Sequence, residues 1–162
     1  WGSTMQFFFD NTGVGEDGAT YQQFNARIDS YKQGEDGNKF QASCWPNVQG
    51  PEFAKVDEWF HVARTYDAAT GAWKVYVDGV QTHDGVHEFG DPAGPFGDLD
   101  LTSPTMNALY IGGWAAIIDG VNNQDWMTFF NGSVDEVRMY NRALTDQEIG
   151  QLWQQEKLIN LE

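Results

Sequence analysis

The run Asp119-Gly120-Val121-Asn122-Asn123-Gln124-Asp125 is the richest oxygen-donor loop in the chain. Hard cations such as calcium are held by several carboxylate and carbonyl oxygens, so Asp119 and Asp125 are candidate metal ligands. Trp114 and Trp126 flank the loop, in a region too rich in Gly and Asn for a core strand. Aromatic faces stack on the apolar faces of sugar rings, and planar polar side chains fix hydroxyls. Trp114, Trp126, Asn122, Asn123 and Asp125 therefore make a candidate glycan site, with Trp45 as a further aromatic. The competing structural reading is a solvated polar loop whose tryptophans plug one end of a sheet domain.

Other chemistries find little support. His83 and His87 have the spacing of a zinc pair on a helix, but Asp84-Gly85 between them is a turn signal. No nucleophile elbow or phosphate-cradling glycine loop is present, and Gly13-Val14-Gly15 lacks the rest of any nucleotide motif. The single cysteine, Cys44, excludes an internal disulfide framework and reads as an inert buried thiol beside Trp45. Twenty-four acidic residues against 9 basic ones give a net charge of −15. Nucleic-acid affinity rests on Lys and Arg against phosphates, and anionic lipid repels such a surface; the chain is expected to bind neither. No apolar run reaches the ~20 residues of a membrane span, and no signal peptide is visible.

The elements that must position these residues are strands. With 162 residues, 15% aromatics and 18 glycines, one strand-rich domain is expected. Predicted strands cover Thr4–Phe9, Phe24–Ser30, Lys39–Trp45, Trp59–Tyr66, Ala72–Val77, Val80–Thr82, Ala108–Ile111 and Val134–Tyr140. Asp78-Gly79 between Val77 and Val80 predicts a type I′ hairpin turn. Trp73, Val75 and Val77 alternate onto one face and Lys74 and Tyr76 onto the other, the pattern of a half-buried strand. Trp59 and Trp73 are expected in the core. One helix is predicted after Thr145, its N-cap, with Glu148 completing a capping box and Leu144 and Ile149 a hydrophobic staple. Ile149, Leu152 and Trp153 share its apolar face. In Gly132–Leu144 the alternation of Val134, Val137 and Met139 breaks, which predicts a β-bulge at Asp135-Glu136 that re-aims Asp135. Leu161-Glu162 reads as a cloning remnant outside the domain of residues 1–160.

Three blocks resemble the laminin-G-like and pentraxin-like domains of the concanavalin A-like lectin/glucanase superfamily. They are Trp59-Phe60-His61-Val62-Ala63 with Thr65-Tyr66-Asp67 and Thr70-Gly71, then Val75-Tyr76-Val77-Asp78-Gly79, then Gly132 to Ile149. Leu109-Tyr110-Ile111-Gly112 stands between the last two. The resemblance implies an all-β jelly-roll sandwich of two antiparallel sheets with one short C-terminal helix. It also implies binding loops at the rim or across the concave sheet. Such domains usually open with two further strands before the stretch equivalent to Trp1–Trp45. The resemblance implies a laminin-G-like domain lacking its usual first strands, with the final strand Val134–Tyr140 normally paired to the missing first one. The resemblance thus implies that this edge is completed by another segment or chain. In related domains a carboxylate on the last strand helps hold calcium, which makes Asp135 the third candidate ligand; the alternatives are an exposed strand Asp or one paired with Arg138. The chain departs from pentraxins at Ala63, where they carry a disulfide, and at Trp114-Ala115-Ala116, near their calcium cluster. The Glu-x-Asp-x-(x)-Glu pattern of the superfamily's glucanases, which sets acid and nucleophile ~5 Å apart, is absent from the sequence.

The expectation is a non-catalytic, calcium-assisted module that recognises a glycan or a cell-surface protein, within a larger extracellular or cell-surface protein. The alternatives are a glycoside hydrolase or polysaccharide lyase on the same fold, and a structural assembly domain of an adhesin or viral particle.

Overall fold

The computed structural model describes residues 4–33, 39–44, 47–48, 56–89, 93–95, 97–98, 111 and 129–159. The first sheet joins β1 (Thr4–Val14), β2 (Thr20–Gln33), β3 (Lys39–Cys44) and β4 (Asn47–Val48), all antiparallel, with β2 paired to the other three. Strands β1 and β2 extend toward each other beyond the predicted spans because a tight turn keeps them in register to its edge, and β2 runs on to Gln33 by pairing with β3. Asp17 Oδ1 accepts the Ala19 N–H at 3.0 Å, and Gly15 and Ala19 close the loop with a 2.9 Å hydrogen bond. A register shift between Phe9 and Thr12 absorbs one irregularity in β1.

The second sheet has the order β5 (Val62–Tyr66), β6 (Ala72–Val77) and β7 (Val80–Val86), a meander of antiparallel hairpins. A short pair, β8 (Glu88–Phe89) with β9 (Gly94–Pro95), follows. The first hairpin turns on Asp67, whose carboxylate accepts the Ala69 N–H at 3.0 Å and the Thr70 hydroxyl at 2.9 Å. The second turns on Asp78-Gly79, both at positive φ (50° and 75°), as a type I′ turn requires.

Helix α1 (Asp146–Ile159) begins where the capping box places it. The Glu148 N–H donates to Thr145 Oγ1 at 3.2 Å, and the Thr145 N–H donates to Glu148 Oε2 at 2.8 Å. The helix lies on one face of the second sheet. Tyr76, Leu144 and Ile149 form a buried cluster, with Ala63 and Leu152 packed against it. Full burial contributes about 1.5–3 kcal/mol for a side chain such as Leu144 or Ile149. At its N-terminal end the helix is fixed by Asp146, which accepts the Tyr76 hydroxyl and Lys74 Nζ, each at 2.7 Å.

Four expectations are corrected. The Lys74/Tyr76 face of β6 is not a solvent face: Val75, Tyr76 and Val77 are all buried, because α1 covers the Tyr76 side. Asp84-Gly85 is not a turn but lies in β7, opposite Lys74 and Trp73. Gly85 serves packing there, since a Cβ would run into the Trp73 ring. Trp59 is not core; β5 starts only at Val62, and Trp59 is 62% exposed. Val134–Tyr140 belongs to no strand ladder among the described residues. Glu136 has φ 51° there, a left-handed backbone that interrupts an extended run at the place where the sequence predicts a bulge. The described residues give separate antiparallel sheets and one helix. The stacking of two sheets into a sandwich lies outside them, as does most of the predicted strand Ala108–Ile111, of which Ile111 alone is described.

Candidate functional site

The described residues place two polar constellations at the margins of the second sheet. The first is a groove with a cavity volume of about 570 Å³ between the β5–β6 turn, residues 97–98 and the approach to α1. Its walls bring together Tyr66, Asp67, Asp98, Asn141 and Arg142. The Tyr66 hydroxyl donates to the Gly97 carbonyl at 2.7 Å and ties β5 to the opposite wall. Burial, with Asp98 and Asp67 adding to it, pushes the Tyr66 phenol above its ordinary value of 10.0. Arg142 donates to both oxygens of Glu148, at 2.6 and 2.9 Å, so its charge is largely spent on the helix start. That bond, with the Thr145 N–H and hydroxyl, holds Glu148 down at about 2. The groove therefore offers carboxylate acceptors, an amide and a phenol ring. Polar ligands with several hydroxyl donors suit such a lining.

The second constellation lies where β5, the Asp78-Gly79 turn, the segment before α1 and the helix meet. His61 and Asp78 exchange two hydrogen bonds: the Asp78 N–H donates to the His61 carbonyl at 2.9 Å, and the His61 N–H donates to the Asp78 side-chain Oδ1 at 2.9 Å. The His61 ring stacks on Trp153 at 6.0 Å, and Trp153 in turn packs on Gly79. Arg138 donates to Glu156 at 2.7 Å and to Glu136 at 2.6 Å, bridging helix and preceding segment.

A laminin G family model, described as the concanavalin A-like lectin/glucanases superfamily, matches residues 2–150. The chain belongs to this superfamily. The superfamily assignment thus covers both hairpins and the first turn of the helix. No curated protein matches the chain. Among solved structures, the chain is similar to an S-layer domain-containing protein from Clostridium thermocellum, at 16% identity and a TM-score of 0.44. That likeness covers 93% of this chain and 64% of the other, so the chain spans under two thirds of that structure's length.

Of the residues that the sequence marks as the site of this superfamily member, Asp135 is described. Trp114, Asp119, Asn122, Asn123, Asp125 and Trp126 lie outside the described residues, as does Trp45. Asp135 is exposed, and its Oδ1 accepts the Glu136 N–H at 2.8 Å, leaving Oδ2 free of that turn. It does not pair with Arg138, which takes Glu136 and Glu156 instead. No group of three His, Cys, Asp or Glu side chains at metal-binding range occurs among the described residues. Calcium takes 6–8 oxygens, and among the described residues Asp135 by itself falls several ligands short of such a set. The Tyr66 groove was not legible in the sequence. Asp67-Ala68-Ala69-Thr70-Gly71 reads only as a turn, and nothing in the spacing joins Asp98 to Asn141.

Proposed function

We propose that the chain is a non-catalytic binding module that recognises a glycan or a surface protein with the help of calcium, within a larger extracellular or cell-surface protein. The observation that carries this reading is the Tyr66 groove, where hydroxyl-accepting side chains converge on a scaffold locked by the hairpin turns and the capped helix. Superfamily membership supports it at the level of fold, which hosts binding and catalytic proteins alike. The absence of a paired-carboxylate glucanase pattern from the sequence favours binding over hydrolysis. Affinity would come from aromatic stacking at Trp114 and Trp126, with Asn122 and Asn123 fixing orientation. Asp119, Asp125 and Asp135 would hold the ion and offset part of the local acidic repulsion. Among the described residues, no helix is long and apolar enough to cross a membrane.

The test is a thermal melt of chelator-stripped protein with and without millimolar calcium, followed by a glycan array under both conditions. An ion bound only by the folded state raises Tm as its concentration passes Kd. The expected result is an upward shift that Asp135→Ala or Asp125→Ala removes, with calcium-dependent retention on a subset of glycans. No shift would remove calcium from the reading; release of reducing ends or unsaturated products would replace binding by catalysis. A second reading, a structural assembly domain, is favoured by the exposure of Val134, Val137, Met139 and Tyr140, at 49–64% each, outside any ladder among the described residues. It predicts a defined oligomer in light scattering and no glycan retention.

A further inference from the structure

His61 sits at the point where the helix is seated on the sheet, and its surroundings suit a neutral ring. The side chain is 15% exposed, and its Nδ1 is buried with no hydrogen-bond partner among the described residues. Its Nε2 lies 3.6 Å from Glu156 Oε2, an ion-pair distance but too long for a hydrogen bond. The other Glu156 oxygen already holds Arg138 at 2.7 Å. Asp78 Oδ1 is engaged by the His61 backbone N–H. An imidazolium carries two N–H donors and needs two acceptors; here Glu156 Oε2 stands at ion-pair distance from one of them, and the other, on buried Nδ1, has no partner among the described residues.

The charged groups facing the ring come from every element packed on it. Glu156 from α1 and Asp78 from the hairpin turn favour a cation, while Arg138 from the preceding segment opposes one. Lys157 stands over the Trp153 ring, 5.7 Å from its centre, and Trp153 stacks on the imidazole.

We propose that His61 is an acid-sensitive catch: a proton on its imidazole unseats the second half of α1 from the β6–β7 hairpin and releases the Arg138–Glu156 clamp with it. Burial outweighs the two carboxylates and holds the ring's proton affinity below its ordinary value of 6.5. The sign follows. Open or unfolded chains take up the proton near pH 6.5, the seated state only at lower pH. Seating is therefore fully favoured above pH 6.5 and weakens as pH falls toward the lower value. The limiting dependence for one proton is about a tenfold rise in the opening constant per pH unit. The opposite device, an ion-pair latch to Glu156, would tighten in acid.

Amide hydrogen exchange at Leu152–Glu156 in the full chain, corrected for intrinsic exchange chemistry, reads the opening between pH 7 and 5. The expected result is an opening constant that rises severalfold to tenfold per pH unit below 6.5. His61→Gln abolishes that rise, Glu156→Gln steepens it, and Arg138→Gln makes it shallower. Equal pH dependence in wild type and His61→Gln, or greater protection in acid, overturns the proposal. Because a variant can fail to fold, the His61 Cε1 proton is also titrated by NMR in the wild-type chain. A midpoint at or above 6.5 overturns the proposal without any mutant.

Discussion

Replacing Gly79 by Ala is the sharpest test of how the helix is held. The residue has φ 75°, and a Cβ there would stand 2.9–3.2 Å from Trp153 Cδ1, Cβ and Cγ. A rotamer change can move Cδ1 and Cγ, but Cβ is fixed to the backbone, so the 3.0 Å contact with it is relieved only by a shift of the helix or the turn. Two costs combine. A left-handed backbone costs an L-residue about 1–2 kcal/mol, and overpacking at a tight contact adds about 1–3 kcal/mol. Gly79→Ala is thus expected to lose about 2–5 kcal/mol. With a urea slope of roughly 2 kcal/mol per M, its midpoint falls by about 1–2.5 M. Gly18 is the built-in control: its φ is 77°, but a Cβ there meets nothing within 4 Å. Gly18→Ala should cost the backbone share alone, about 1–2 kcal/mol. Equilibrium urea unfolding of both variants, repeated in a Trp153→Ala background, isolates the contact. In that background the Cδ1 and Cγ contacts are gone and only the Cβ contact stays, so the Gly79→Ala loss should shrink toward the Gly18→Ala value. Equal losses for the two glycines, or a Gly79→Ala loss indifferent to Trp153, would refute the seating of Trp153 on this turn.

Further outcomes follow from the helix start. Tyr76→Phe removes a hydroxyl donated to Asp146 from a ring that is otherwise buried, and should cost about 1 kcal/mol in urea unfolding. Lys74, then Tyr76, holds Asp146 below its usual carboxylate range, so the variant should raise the Asp146 titration midpoint seen by NMR. Thr145→Ala removes the N-cap and should cost about 1 kcal/mol. Its partner Glu148 titrates near 2 when folded and at 4.5 when free. The stabilisation from that carboxylate is complete above pH 4.5 and is lost as pH falls toward 2. Acid unfolding of Glu148→Gln should accordingly be flatter than wild type over that window.

The features legible in the sequence are those set by near neighbours. The Asp78-Gly79 turn, the Ala72–Val77 strand and the Thr145–Glu148 capping box each depend on residues a few positions apart, and each is found where it is predicted. The misses are decided by partners distant in the chain. Tyr76 alternates like a surface residue, and only the helix laid over it makes it core. Asp84-Gly85 carries turn chemistry, yet the ring of Trp73 on the neighbouring strand needs the missing Cβ. The sequence leaves Asp135 exposed or paired with Arg138, and it is exposed because Arg138 reaches across to Glu156 on the helix as well as to Glu136. Of the candidate site, Asp135 alone can be placed, while the Tyr66 groove emerges from three loops that no local pattern connects.

The separation between Tyr76 and Asp146 also sets a schedule during synthesis. A β-hairpin closes in about 1–10 μs, so β6 and β7 can pair almost as soon as they leave the ribosome. The residue that caps the Tyr76 hydroxyl is 70 positions further on. At roughly 5–20 residues per second, it is made some 4–14 seconds later. For that interval the face later covered by Leu144 and Ile149 is bare, a sheet surface awaiting its helix. The nascent chain is most exposed to wrong partners during those seconds, and holdase binding to the emerging hairpin would be greatest until Ile149 clears the tunnel.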